Sequence, residues 1–403
     1  MFKSLDNRLQ IRDTSTRQKE TVLVMQGGGS LGAYECGIYK TLEKHNIKLD
    51  IVAGTSIGAI NTSIIAGSKG QSPAKTLEEF WMEIAEKIIP SFLPDDLRSI
   101  FSSIFASCYG NKNVFEPVWY SSTLFKYHPL FYNYVNFPPH LYDIKPLKDT
   151  LSKFIDFDKK NYYYKNRISE KSLSEKDERK RSSKRLTPRL IMSSTDIQKS
   201  EPVTFDSDTM KIDADHIVAC AGFPFYGISW TEKDGRYLWD GSLLSNTPLR
   251  EVINASPKNH KIVYIVNLFP KNQKEVPKNM FEIWHRARDI MHTDRTEHNI
   301  HMSKIISKHL DVMKDMHDLL NNIKIEENMK DLFFKIEKEY HKLATDRGTI
   351  IKEIIKIERE EEKEKTHFIF EDADFSVKTI RQLIKQGEND AEKALQINRK
   401  SHI

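Results

Sequence analysis

Short apolar runs that stop at glycine alternate with helical stripes through the first part of the chain. Val22-Leu23-Val24-Met25 is continuously apolar and leads into Gly27, the pattern of a parallel strand buried on both faces. Small or apolar residues at Ala33, Cys36, Ile38, Tyr39 and Leu42 predict a helix over 33–44 packed on a sheet. Residues 51–53 are the next strand and 59–66 the next helix, completing a βαβ unit of the usual right-handed kind. Leu77, Phe80, Trp81, Ile84 and Ile88 make one apolar stripe. Ser72-Pro73 offers an N-cap followed by proline at the first helical position, so a helix is predicted over 72–89.

From residue 90 to 142 the pattern changes to scattered aromatics. Pro117, Pro129, Pro138 and Pro139 predict that no long regular element forms there. Residues 165–185 hold nine basic and four acidic side chains with serines between them and no apolar period, so they read as an exposed insertion. Regularity then resumes. Residues 190–196 and 202–206 read as strands around a turn at Gln198-Lys199, and 216–225 as a helix running into a tight loop. Residues 237–239 and 262–268 are further strands. Beyond Pro270 long helical periodicity takes over across 279–323 and continues to 343. A strand follows at 351–357, a charged, solvated run at 358–365 and a last helix from Phe375 to Leu395. The expected organisation is a flexible arm (1–20), an α/β catalytic domain (21–270) and a mainly helical region (271–403) packed on it.

Composition narrows the class. The 403 residues are 39% hydrophobic and 30% charged, enough for a large core under a polar surface. The formal charge of +5 is a mild basic excess. The basic run lacks interleaved aromatics, so nucleic acid is not expected as a partner. Three scattered cysteines, Cys36, Cys108 and Cys220, form neither a disulfide framework nor a metal spacing. Residues 1–20 are polar, and no apolar run approaches a membrane span. A cytoplasmic location is expected, with peripheral membrane contact compatible with it.

Chemistry concentrates in two turns. Seven of the 16 glycines fall between Gly27 and Gly58. Gly54-Thr55-Ser56-Ile57-Gly58 is a Gly-x-Ser-x-Gly sequence between a predicted strand and helix, where a serine sits on a sharp turn at a helix N-terminus. Gly27-Gly28-Gly29 offers consecutive unhindered amides at a second helix N-terminus, suited to an oxyanion hole. Gly27, Gly29 and Gly32 also satisfy a G-x-G-x-x-G spacing. No acidic residue ends the second strand, where Ser56 stands instead, so a dinucleotide site is discounted. Serine is a weak nucleophile and needs a base. A buried carboxylate is one source. His260, His285 and His292 would supply a conventional triad in the order Ser–Asp–His.

With these motifs the chain resembles the patatin-like phospholipases. Gly-Gly-Gly-x-x-Gly over 27–32 and Gly54-Thr55-Ser56-Ile57-Gly58-Ala59-Ile60-Asn61 carry the likeness. They are joined by Ala219-Cys220-Ala221-Gly222-Phe223-Pro224-Phe225 and by Asp240-Gly241 within 238–248. Segments 141–151 and Asp374-Phe375-Ser376 are similar to a bacterial patatin-like subgroup with an Asp-Phe-Ser tail. Many members carry Arg or Lys where Leu31 stands here.

The resemblance implies a three-layer α/β/α sheet with an added helical C-terminal region. It also implies a Ser56–Asp240 dyad and an oxyanion hole at Gly27, Gly28 and Gly29, with Gly32, Gly54, Gly58 and Gly241 shaping the turns. No metal or cofactor is called for. The expected substrate is a phospholipid or related lipid ester. Alternatives are another ester or thioester, or a non-catalytic lipid-sensing scaffold; protein partners are left open. The aromatic segment 90–142 reads either as an acyl-binding cap or as an ordinary subcore.

Overall fold

A computed structural model describes residues 19–85, 94–118, 140–158, 187–255, 259–273, 276–323, 326–347, 351–360 and 371–401. The expected arm (apart from Lys19 and Glu20), the insertion at 165–185, the helix end at 86–89, the aromatics of 119–139 and residues 361–365 of the charged run lie outside them.

Strand β1 (Lys19–Met25), helix α1 (Gly32–Lys44), strand β2 (Ile51–Thr55) and helix α2 (Ile57–Gly67) form the expected βαβα start. Helix α3 (Pro73–Ile84) is capped by Ser72, whose side chain accepts from the Lys75 amide at 3.2 Å. Next come helix α4 (Asp95–Tyr109), the short strands β3 (Glu116–Pro117) and β4 (Tyr142–Asp143), and helix α5 (Lys145–Phe154). The α4 helix corrects the expectation of an irregular 90–142. The four prolines named above lie beyond Tyr109 and Pro94 stands at the N-cap, so none interrupts the 15 residues Asp95–Tyr109.

Strands β5 (Arg189–Asp196) and β6 (Glu201–Asp206), helix α6 (Ala214–Val218), and strands β7 (Thr231–Lys233) and β8 (Arg236–Asp240) follow. Helix α7 (Leu249–Asn254), strand β9 (His260–Asn267), helices α8 (Met280–Asn321) and α9 (Lys330–Arg347), strand β10 (Ile351–Glu358) and helix α10 (Val377–Ser401) complete the order.

Eight strands make one sheet in the order β10-β9-β1-β2-β5-β8-β7, with β6 also on β5, while β3 and β4 pair separately. From β10 to β5 every pairing is parallel, and the β8–β7 edge is antiparallel. Alternate side chains leave opposite faces of a strand, and here both faces are covered, which explains the unbroken apolar runs. Leu23, Met25, Val52 and Met192 pack with α1, α2 and α3 on one side. Val22, Val24, Ile51 and Ile191 pack with Leu249 and Val252 of α7 and Ile300 of α8 on the other. The fold is therefore a three-layer α/β/α sheet with helices added near the C-terminus.

The last helix belongs to the core. A Cβ on Gly37 would fall 1.9 Å from Ile384 O, and one on Gly387 2.0 Å from Tyr34 O, so α1 and α10 touch backbone to backbone. Lys40–Glu388 and His45–Glu392 contacts, both 2.8 Å, flank this crossing. Among the described residues no helix is long and apolar enough to cross a membrane.

Candidate active site

The two glycine turns leave the carboxyl ends of neighbouring parallel strands. Met25 is in register with Gly54, so the turn after β1 and the turn after β2 lie side by side. Ser56 adopts φ 55°, a left-handed conformation uncommon for a residue with a side chain. The turn is tight because its glycines permit it. A Cβ on Gly54 would meet Gly58 O at 2.1 Å, and one on Gly58 would meet Met25 O at 2.6 Å. Ser56 is the N-cap of α2, whose positive dipole end favours an alkoxide there. Its own amide donates to Cys220 O at 3.1 Å.

Asp240 ends β8, opposite Ser194 of β5, and is fully buried. Its amide donates to Gly222 O at 3.0 Å, so the 219–222 segment holds both Ser56 and Asp240. A Cβ on Gly241 would lie 2.3 Å from Ser193 O, which is why the chain can turn here. Oδ1 accepts the Ser242 amide at 2.8 Å, and Oδ2 has no hydrogen-bond partner. Burial raises the carboxyl from 3.8 to about 6, against the pull of the Ser56 hydroxyl and the Ser242 amide and hydroxyl, which favour the charged form. No histidine is among the groups acting on it.

A polar lattice sets the turns against each other. The Gly27 amide is already taken, donating to Asn246 Oδ1 at 3.1 Å and sharing with Asn246 O at 3.3 Å. Asn246 Nδ2 returns a bond to Gly27 O at 3.3 Å. Thr55 Oγ1 donates to Ser245 O at 2.8 Å. Gln26 Nε2 donates to Thr247 Oγ1 at 3.0 Å, while its Oε1 accepts the Leu268 amide at 2.8 Å. Beneath the turns Glu35 accepts the Gln26 amide and Asn61 Nδ2, both at 2.8 Å, and Trp81 Nε1 donates to Asn61 Oδ1 at 3.1 Å. Burial pushes the Glu35 carboxyl well up, opposed by those two donors.

Above the turns lies a cavity of about 330 Å³. Gly27, Gly28, Gly29 and Ser56 line it, with walls that include Ile60, Phe80, Phe115, Leu147, Phe223 and Phe375. At one end Arg288 lies 4.9 Å above the Phe269 ring and pairs with Asp289 (3.1 Å) and Asp372 (3.4 Å). The Tyr226 hydroxyl also donates to Asp372.

The structure therefore brings Ser56, Gly28, Gly29 and Asp240 to one place, while the Gly27 amide is spent inside the fold. His260 opens β9 opposite Lys19, at the far end of the sheet from Ser56. His292 reaches the cavity wall, where it stacks on Phe269 at 4.9 Å. The His285 side chain lies outside the described residues. No cluster that could hold a metal ion occurs among the described residues. The sequence reading passed over Gln26, Glu35 and Asn246. Asn61 and Asn246 do stand inside the motif stretches, and a buried asparagine needing several partners was the available signal.

A family model described as patatin-like phospholipase matches residues 23–253. Patatin-like phospholipase domain-containing protein 7 of Rattus norvegicus is 30% identical over 92 residues, 23% of this chain and 7% of that protein. Triacylglycerol lipase SDP1L of Arabidopsis thaliana is 35% identical over 63 residues, 15% of this chain and 8% of that protein. The chain thus spans less than a tenth of the length of these relatives. Among solved structures, VipD from Legionella pneumophila aligns over 94% of this chain and 67% of its own, at 16% identity and TM-score 0.33.

Proposed function

The chain belongs to the patatin-like phospholipase family, and from that premise we propose that it hydrolyses the acyl ester of a phospholipid or related lipid through Ser56 and Asp240. The observation that carries this reading is a buried carboxyl with a pKa of about 6, acted on by the Ser56 hydroxyl beneath an apolar cavity. A carboxylate of ordinary acidity would be a poor base for serine. Raising it towards 6 strengthens it while leaving it mostly ionised at neutral pH.

In the proposed cycle Ser56 Oγ attacks the ester carbonyl and its proton passes to the Asp240 carboxylate. The oxyanion faces the amides of Gly28 and Gly29, with Gly27 fixing the turn through Asn246. Collapse breaks the acyl–oxygen bond, and the leaving alcohol takes the proton from Asp240. Water then attacks the acyl-enzyme, Asp240 accepts its proton, and Ser56 and a fatty acid are released as the proton returns. The apolar walls suit an acyl chain.

A fluorophosphonate probe tests the assignment. Wild type should be labelled and should hydrolyse a soluble p-nitrophenyl ester. Ser56→Ala should do neither, and Asp240→Asn should lose turnover. Absence of labelling in folded wild type, or turnover by either variant, overturns it.

A further inference from the structure

Helix α4 is built inside out. Arg98, Ser102, Ser103 and Ala106 recur at helical spacing and are buried. Ser102 is completely enclosed, and its hydroxyl has no hydrogen-bond partner. The opposite side carries Leu97, Phe101 and Ile104, exposed by 46%, 49% and 50%, and Tyr109 at the helix end is exposed by 56%. An amphipathic helix on a protein that meets only water is oriented the other way round. This helix turns its one basic residue inward and its apolar stripe outward.

The inner face of the same helix meets the cavity. Ala106 is part of the cavity wall, one helical turn from Ser102 and Ser103. Leu141 and Phe225 line the same cavity and are themselves exposed by 44% and 71%. Exposed apolar side chains thus stand both at the cavity mouth and on the outer face of a helix that walls the cavity. The exposed part of the four α4 side chains amounts to roughly 450 Å², taking ordinary sizes for such residues. A stable protein–protein interface needs about 800 Å² per partner, so the stripe falls well short of one. A row of partly exposed apolar side chains entering an interfacial layer has no such requirement.

We propose that α4 is the face by which the protein rests on a lipid surface of neutral or zwitterionic head groups, bringing the cavity mouth against the acyl chains. This rests on the lipid-hydrolase reading above for its purpose, and on the inverted helix for its location. The side chains exposed along the stripe are uncharged, so recognition is by apolar insertion and not by attraction to anionic lipid.

The test uses the full chain, dioleoylphosphatidylcholine vesicles and the double variant Phe101→Gln/Ile104→Gln. Both positions are half exposed, so folding is spared, as circular dichroism would show. Vesicle co-sedimentation and vesicle hydrolysis should fall by about tenfold or more, the scale expected when two such side chains lose apolar burial. Hydrolysis of a soluble p-nitrophenyl ester should stay at the wild-type level. A control, Met316→Gln/Leu319→Gln, alters equally exposed residues on α8 and should change nothing. Unchanged vesicle binding in the α4 variant, an equal loss in the control, or a wild-type dimer that the α4 variant dissociates would each overturn the proposal. If wild type hydrolyses no ester yet the α4 variant alone loses vesicle binding, the docking face stands and the hydrolase reading fails.

Discussion

Replacing Asp240 by asparagine should give a protein that is inactive yet more stable at neutral pH. Asp240 is wholly enclosed, and burial lifts its carboxyl from 3.8 to about 6. An unfolded chain would release this proton near the ordinary carboxylate value. As pH rises from about 4 to about 6, the unfolded chain has therefore let go of a proton that the folded chain still holds. The folded state loses ground throughout that window. Above about pH 7 the cost is constant, at about 3 kcal/mol for a rise of this size.

Asparagine keeps Oδ1 for the Ser242 amide and removes the charge. Its new amide stands where Oδ2 has no hydrogen-bond partner. Urea unfolding of wild type and Asp240→Asn across pH 4 to 8 reads the effect. The variant's advantage should be small near pH 4, grow through pH 6 and level off at up to about 3 kcal/mol. A variant no more stable than wild type at pH 7.5, or a gap that ignores pH, would refute the claim that the fold bears the cost of a charged Asp240.

In the proposed cycle the same carboxyl would set the pH dependence of turnover. With a base of pKa about 6, kcat/KM on a soluble ester should fall about tenfold per pH unit below 6 and level off above 7; a flat profile between 4.5 and 7 would contradict it. Asn246→Ala removes both side-chain bonds to Gly27 and should lower kcat by about ten- to hundredfold through a displaced turn, with KM little altered. Steady-state kinetics with a thermal melt as control would show it, and a wild-type kcat would sink the positioning role.

What could be read in the sequence follows how local each signal is. β1 and β2 are legible because strands buried on both faces leave unbroken apolar runs. Ser56 is legible because Gly54 and Gly58 stand two residues either side of it, between a strand and a helix. Asp240 came through a resemblance, since an aspartate before a glycine carries no chemistry by itself. The spent amide of Gly27 could not be read, because its partner Asn246 lies 219 residues away. Helix α4 is illegible for a different reason. Its aromatics merge with those of the stretch after it, and its polar residues, buried instead of exposed, contradict the usual rule for locating a face. The strand at 351–357 was visible as an alternation of isoleucines, but its place beside β9 comes only from folding.

The backbone contact between α1 and α10 gives the order of synthesis a role. The family match ends at residue 253, yet Gly28 abuts Leu268, and a Cβ on Gly29 would collide with the carbonyl of Asp372. Phe269, Asp372 and Phe375 wall the cavity above a serine made more than two hundred residues earlier. A chain emerging from its amino end therefore carries Ser56 long before the cavity around it has its walls. The helix that clamps α1 is made later still, so the site takes its finished form only after Val377–Ser401 has followed.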